Sequence, residues 1–231
     1  MKLRSKILLA LWVLLPLVAA GYFLEKRYGK PSPDEYEEVA ADRVKELSAS
    51  NELQNGDLIF HTSRSAQSQA IQLATKSKYS HCGIVYKNGN DYFVFEAVQP
   101  VSTTPLAKWI ARGEGGHFVV KRLKNADQVL SKSALAKMKE EGQKLAGKDY
   151  DLTFEWSDEK IYCSELIWKV YQRATGLEIG KLEKLRDFDL SAKPVQAKMR
   201  ERYGRQIPYE EKVISPASMF SSDLLVTVVE K

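Results

Sequence analysis

Two neighbouring segments in the middle of the chain have the β-branched and aromatic composition of paired strands. They are His81–Tyr86 and Tyr92–Val98, and Asn88-Gly89 lies in the turn between them. An Asn-Gly turn between two such runs predicts a β-hairpin. Three other apolar runs predict further strands: Leu58–His61, Phe118–Leu123 and Leu224–Val229.

Elsewhere the apolar residues recur at helical spacing. The helix with the clearest boundaries begins at Cys163 and ends at Gly176, with Leu166, Ile167 and Val170 on its apolar stripe. Other predicted helices are one capped by Ser32 that runs to about Ser48, Ser68–Ser77, Leu130–Ala146, residues 194–203 and a short helix in 215–220. The separation of antiparallel strands from helices predicts an α+β domain.

The N-terminal segment 1–24 is predicted to be a signal peptide or a membrane anchor. Three cations precede Ile7–Leu24, which contains 18 residues without a charge. This length approaches the ~20 apolar residues that span a bilayer, while Val18-Ala19-Ala20 offers small residues for cleavage. Cleavage of the segment as a signal peptide and its retention as an anchor both stay open, and a buried soluble helix is a third alternative. Either of the first two options places residues 31–231 in the periplasm. Residues 25–52 are predicted to form a linker and an amphipathic helix, and residues 53–231 the main domain.

The formal charge of +5 comes from the first 30 residues, which carry six cations and one acid. The remaining residues hold 29 basic and 29 acidic side chains, so the domain is neutral overall. This balance predicts no nucleic-acid partner, because such partners require a basic surface. The two cysteines, Cys82 and Cys163, do not amount to a disulfide framework.

Cys163 is the first candidate for chemistry, because it lies where a helix begins. The N–H groups and the dipole at a helix N-terminus favour a thiolate and can hold an oxyanion. Cys163 precedes Leu166 and Ile167 by three and four residues, so it faces the same interior. A buried structural cysteine is the alternative that its position alone leaves open.

A thiolate nucleophile needs a base and a group that orients the base. His81 begins a strand and can face a cleft, and Glu96 is an acid within the apolar run of the neighbouring strand. Strand alternation then points Cys82 to the core, so we expect Cys82 to be neither the nucleophile nor a disulfide partner of Cys163. The alternatives are a surface or packing role for His81 and a solvent-facing Glu96 on an edge strand.

Several motifs resemble the permuted papain-like amidases of the YaeF/YiiX type, within the NlpC-type thiol hydrolase superfamily. These are "NGDLIFHTSRSAQSQAIQLATKSKYSHCGIVY", "YFVFEAV", "YDLTFEWSDEKIYCSELIWKVYQ" and "VISPASMF", which together cover about residues 53–229. The resemblance implies a circularly permuted papain-like fold, with an antiparallel half-barrel sheet packed against helices. It also explains why the histidine precedes the cysteine along the chain.

The resemblance implies Cys163 as nucleophile, His81 as general base and acid, and Glu96 as the residue that orients the imidazole. Tyr162 resembles a tyrosine that lines such sites, although packing is an equal alternative. Three further residues match family positions that are predicted to be structural: Asp57, Ser80 and Asp151. The other two histidines, His61 and His117, match no catalytic position of the family.

The implied activity is cleavage of an amide or ester through a thioester, with no metal or other cofactor. The substrate expected is a peptidoglycan peptide or a lipid-linked acyl group, with the membrane a further partner through residues 7–24 if they are not cleaved. The alternative is a catalytically idle papain-like binding module at the membrane surface.

Overall fold

The computed structural model of the chain describes residues 33–65 and 67–231. The apolar segment 7–24 and the Ser32 cap predicted above lie outside these residues. Glu37–Lys231 form one compact unit, which contains the strands and helices described here except for the first turn of the first helix. Within the described residues, no helix combines the length and apolar composition that crossing a bilayer requires.

A six-stranded antiparallel sheet forms the centre of the domain. Its strands are β1 (Leu58–His61), β2 (His81–Asn88), β3 (Asp91–Glu96), β4 (Ser102–Pro105), β5 (Val119–Leu123) and β10 (Leu225–Glu230). Across the sheet they follow the spatial order β10-β5-β1-β2-β3-β4. Two short pairs complete the strands: parallel β6 (Asp149–Tyr150) with β7 (Lys160–Ile161), and antiparallel β8 (Glu183–Lys184) with β9 (Lys212–Val213).

Eight α-helices accompany these strands in the described part of the chain. They are α1 (Pro33–Ser50), α2 (Ser68–Thr75), α3 (Leu106–Ala111), α4 (Ala126–Val129), α5 (Lys132–Leu145), α6 (Cys163–Thr175), α7 (Lys193–Tyr203) and α8 (Pro216–Phe220). The predicted strands and helices are thus present, with boundaries that differ by a few residues. The α+β prediction is confirmed as a mixed fold of an antiparallel sheet and helices.

Helix α6 is the element on which the sheet and the helices meet. Its residues from Cys163 to Tyr171 are all buried, because the helix lies against β2 on one side and α5 on another. Gly176 ends it in the left-handed conformation at φ 79°, which glycine adopts without strain. The Tyr171 hydroxyl donates a hydrogen bond to the buried main-chain carbonyl of Gly56, which joins the end of the helix to the turn before β1. Helix α6 is therefore packed against the sheet along its buried length and joined to the turn before β1 near its end.

Two elements that the sequence did not predict lie at the edge of the sheet. Strand β4 pairs with β3, and α3 follows β4 directly. The sequence of β4 is Ser-Thr-Thr-Pro, whose polar side chains give no strand-like apolar pattern. Helix α3 has six residues, which is too short for a helical period to be recognised. Strand β4 and the residue that follows α3 both belong to the candidate site.

Candidate active site

The β2–β3 hairpin brings His81 and Glu96 together. Ile84 pairs with Phe95, so His81 at the start of β2 and Glu96 at the end of β3 project from the same face of the sheet. His81 Nε2 lies 2.6 Å from Glu96 Oε2. Gly83 follows His81 by two residues and lies opposite Glu96 in the register, and a Cβ there would lie 2.3 Å from the Val94 side chain. A glycine at this position thus avoids a clash next to the contact between His81 and Glu96.

Cys163 meets this pair from the start of α6. Its side chain is buried, with 2% of its surface exposed, and it interacts electrostatically with the His81 side chain. The structure therefore brings together the three residues that the sequence singled out as nucleophile, base and orienting acid. Their geometry allows a proton to pass between the Cys163 thiol and one ring nitrogen of His81, while Glu96 holds the other nitrogen.

The electrostatics of the three side chains favour an ion pair. Burial disfavours a charged His81, but the hydrogen bonds and charges of Cys163 and Glu96 outweigh it and raise the pKa of His81 to about 9. A hydrogen bond from Cys82 and the hydrogen bond and charge of His81 lower the pKa of Cys163 well below its ordinary value, against the effect of burial. The site thus favours a thiolate beside an imidazolium.

Glu96 is fully buried and has hydrogen-bond partners in addition to His81. Its Oε1 accepts hydrogen bonds from the Thr104 hydroxyl at 2.5 Å and from the Arg112 guanidinium. Burial alone would raise the pKa of Glu96, but His81, Arg112 and Thr104 lower it to about 2. An acid in an apolar run signals that a partner exists. It does not identify Thr104 and Arg112, which sequence reasoning missed.

Cys82 departs from the expectation based on strand alternation. It is buried, as predicted, but it lies close enough to Cys163 for each thiol to shift the pKa of the other. The start of α6 lies beside the first residues of β2, so the Cys163 sulfur reaches His81 and Cys82 although these two alternate along the strand. Both cysteines are free thiols. Cys82 is therefore a neighbour of the candidate nucleophile rather than a remote core residue.

The other two histidines occupy different surroundings. His61 is buried, and its ring stacks on Trp109 with centroids 3.9 Å apart and lies 5.3 Å from the ring of His81. Burial and the nearby charges of His81, Arg112 and Arg64 lower the pKa of His61 well below its usual range, which keeps the ring neutral. His117 lies away from this cluster, where its Nε2 is 3.3 Å from the Lys78 amine.

Tyr162 packs beneath the start of α6. Its hydroxyl accepts a hydrogen bond of 3.1 Å from the Ile214 N–H, and its ring meets Phe154 edge-on at 5.1 Å. It also lines the pocket that contains Cys163. Both the packing role and the lining role foreseen from the sequence are thus compatible with its place.

Asp57, Ser80 and Asp151 make the contacts expected of structural residues. Asp57 accepts from the Gln54 N–H and from the guanidinium of Arg122. Ser80 accepts from the Ser63 N–H and shares a hydrogen bond with the Ser68 hydroxyl. Asp151 accepts from two main-chain N–H groups and the hydroxyl of Thr153 in the loop after β6. These contacts support the turn, the strand entry and the loop anchor predicted for them.

Two hollows adjoin the Cys163–His81 contact. The pocket on the Cys163 side has an apolar surface, and the cleft on the His81 side, called the polar cleft below, is lined mostly by polar residues although apolar atoms form much of its surface. Gln67, Ile71 and Tyr150 line both, so the two hollows are neighbours. Apolar lining residues of the pocket include Ala70, Phe154, Leu185, Val195 and Met199, and polar residues of the cleft include Ser63, Arg64, Gln99 and Arg112.

Across residues 33–65 and 67–231, no group of three or more histidine, cysteine or acidic side chains has an arrangement that could hold a metal ion.

A cysteine at a helix N-terminus that faces a histidine on an antiparallel sheet is the arrangement of papain-like thiol hydrolases, here with the histidine first along the chain. The model of the permuted papain-like amidase enzymes, YaeF/YiiX, C92 family, matches residues 52–229. The chain belongs to this family.

Two relatives illustrate the similarity. The uncharacterised protein YiiX of Escherichia coli strain K12 is 49% identical over 178 residues, which cover 77% of this chain and 87% of YiiX. The crystal structure of YiiX from Escherichia coli O157:H7, described in its title as a metalloprotein, has a TM-score of 0.73 and 49% identity. That match covers 77% of this chain and 97% of the YiiX chain.

Proposed function

We propose that the protein is a cysteine hydrolase that cleaves an amide or ester bond with Cys163, His81 and Glu96. The observation that carries the proposal is the continuous contact from the Cys163 thiol through the His81 ring to the buried Glu96 carboxylate. Membership of an amidase family supports the same chemistry.

The proposed reaction has two stages. The Cys163 thiolate attacks the carbonyl carbon, and N–H groups at the start of α6, including that of Cys163, stabilise the oxyanion. The His81 imidazolium gives its proton to the leaving amine or alcohol as the bond to the carbonyl carbon breaks. The neutral imidazole then takes a proton from water, which attacks the thioester; the acid is released and the Cys163 thiolate beside the His81 imidazolium is restored.

The apolar pocket favours a lipid-linked acyl group over a peptidoglycan peptide. The pocket meets the nucleophile directly, and its described lining is formed mainly by side chains such as Ala70, Leu185 and Val195. A hydrocarbon chain gains ~0.8 kcal/mol for each buried CH₂ group, whereas the charged groups of a peptidoglycan peptide would lose their hydration there. We therefore place the acyl part of the substrate in the pocket and the leaving group in the polar cleft.

The proposed setting is the periplasm. Its support is the sequence of residues 1–24, which has the cations and apolar run of a signal peptide or an anchor. A retained anchor at 7–24 would hold the domain at the membrane, next to lipid-linked substrates. Fractionation of cells that express the full chain, with N-terminal sequencing of the product, distinguishes a cleaved soluble form from an anchored one.

The proposal is tested against an idle binding module by alkylation and turnover. The full chain is treated with iodoacetamide at pH 7, and peptide mass spectrometry measures the adducts on Cys163 and Cys82 separately. We expect rapid, selective labelling of Cys163 that is lost in His81→Ala, together with hydrolysis of acyl esters. Slow and equal labelling of both cysteines, with no turnover of esters or amides, would favour the idle module.

Acyl specificity is tested with p-nitrophenyl esters of increasing chain length. We expect kcat/KM to rise with chain length and to fall selectively for long chains in Ala70→Leu, which narrows the pocket from the buried side of α2. Ala136→Leu on the exposed side of α5 is the matched control. An equal loss for short and long chains would count against the assignment of the pocket.

A further inference from the structure

The two oxygens of Glu96 have different partners. Oε2 accepts from His81 Nε2, and Oε1 accepts from the Thr104 hydroxyl and from Arg112 Nη2. Glu96 has no exposed surface, so within the described residues these three donors define the surroundings of its charge. A carboxylate shared in this way keeps one oxygen directed at the histidine while the other is held by a permanent cation.

The position of Arg112 is itself fixed by the fold. It follows α3 directly, and the buried Trp109 and Ile110 anchor the end of that helix in the core. The Arg64 side chain donates to the main-chain carbonyl of Ala111 at 2.7 Å, which holds the last turn of α3 in place. The Arg112 side chain is 42% exposed and lines the polar cleft, but its charged end turns to the buried carboxylate.

The histidine must change its charge during the proposed reaction, and this sets a demand on Glu96. While His81 is an imidazolium, its own charge keeps Glu96 ionised. Once His81 has given up its proton, a buried carboxylate without another cation favours its protonated form and takes up a proton from solvent. A protonated Glu96 would donate to His81 Nε2, so the one proton left on the neutral ring would lie on Nδ1.

That tautomer would disable the base. The nitrogen that faces the nucleophile must carry the free electron pair in the neutral state, so the proton must stay on Nε2. A guanidinium remains charged at every relevant pH and can stabilise the Glu96 carboxylate whether or not His81 is charged.

We infer that Arg112 is a positioning residue, which keeps Glu96 ionised and directed at His81 Nε2 throughout the catalytic cycle. The inference rests on the proposed function, since it assigns the Cys163–His81–Glu96 group as the machinery. It extends that group to a fourth residue, which acts through the acid without touching the reacting atoms.

The test compares variants of the full chain in a pH–rate profile. Arg112→Met removes the cation, Arg112→Gln keeps a donor without charge, and Arg112→Lys keeps the charge. Arg186→Met is the matched control, since Arg186 is 53% exposed and pairs with the exposed Glu210. If Arg112→Met does not fold, the Gln and Lys variants carry the same comparison.

We expect Arg112→Met and Arg112→Gln to lower kcat by about 10- to 100-fold with little change in KM, and to move the acid limb of kcat, which reports the neutral His81 that the acyl-enzyme needs, up by about one pH unit. Arg112→Lys should recover most of the loss, and Arg186→Met should resemble the unchanged protein. A rise in KM alone would make Arg112 a substrate contact, and an unchanged acid limb would overturn the inference.

Nitrogen-15 NMR of the His81 ring provides a readout that does not depend on turnover. Between pH 6 and 10.5, the unchanged protein should show the Nε2–H tautomer once His81 loses its charge, and Arg112→Met should show a larger share of Nδ1–H. A protein that hydrolyses nothing but shows this shift would refute the proposed function alone. If the protein hydrolyses substrate but the His81 tautomer and the acid limb of the pH–rate profile are the same in Arg112→Met, only the inference is refuted.

Discussion

Replacing Glu96 by Gln gives the sharpest view of how the buried carboxylate controls the thiol. The substitution keeps the size and the hydrogen-bonding oxygen of the side chain but removes its charge. Glu96 contacts His81 at 2.6 Å, so the loss acts first on the imidazolium and only through it on Cys163. The prediction is a less stable thiolate–imidazolium pair and a less reactive nucleophile.

The size of the effect follows from the pKa of His81. Its value of about 9, against an ordinary 6.5, corresponds to about 3 kcal/mol in favour of the charged ring. Cys163 and Glu96 are the two partners that raise it. Because the two partners also offset the cost of burial, this net value is a lower bound; if the carboxylate contributes about half, its removal costs at least about 1.5 kcal/mol, which is roughly a tenfold fall in the equilibrium constant for the ion pair.

The assay is the rate of iodoacetamide addition to Cys163 between pH 4 and 10. In the unchanged protein the thiolate is present above the lowered pKa of Cys163, and the imidazolium persists until pH rises through about 9, so the ion pair exists between these limits. Glu96→Gln should lower the plateau by up to about tenfold and move its alkaline end down by about one pH unit. Circular dichroism confirms that the variant is folded at the temperature used.

The reasoning fails if Glu96→Gln reacts as fast as the unchanged protein over the same pH range. That result would mean that the thiolate owes its stability to Cys82 and to the start of α6 rather than to the histidine and its carboxylate. Cys82→Ala distinguishes the two sources, since Cys82 also lowers the pKa of Cys163.

Three further predictions concern stability, measured by urea unfolding. Asp57→Asn should cost about 3 kcal/mol because the buried carboxylate accepts from Arg122 at 2.7 and 2.8 Å, and a loss below ~0.5 kcal/mol would contradict this. Gly83→Ala should cost about 2 kcal/mol, since the new Cβ would lie 2.3 Å from the Val94 side chain; an unchanged midpoint would show that the strands separate freely. The pKa of Glu96 falls to about 2 from an ordinary 4.5, so its contribution is full above pH 4.5 and lost as pH falls towards 2; Glu96→Gln should flatten that acid dependence.

The elements that carry the predicted site residues were accessible from the sequence because their signals are local. The Asn-Gly turn and its flanking runs predicted the hairpin that brings His81 to Glu96. The apolar stripe after Cys163 predicted a buried helix that begins at the cysteine. Contact among these three residues required one further step, the packing of α6 on β2, which the family resemblance supplied.

The remaining parts depend on contacts between distant segments. Thr104 and Arg112 lie on a polar edge strand and just after a six-residue helix, and neither element has a pattern that a single sequence reveals. Strand alternation placed Cys82 on the opposite face from His81 but could not show that the start of α6 reaches both residues. Periodicity describes one element at a time, whereas the site forms where the termini of β2, β3 and α6 meet.

The most direct test of the central claim is mass spectrometry of an acyl-enzyme. The full chain is mixed with a slowly released long-chain acyl ester, quenched in acid and digested. A thioester adduct of the acyl mass on the peptide that contains Cys163, with the adduct no longer formed in His81→Ala, is the predicted result. An adduct on any other residue, or turnover that persists in Cys163→Ala, would contradict a reaction in which this thiol is the nucleophile.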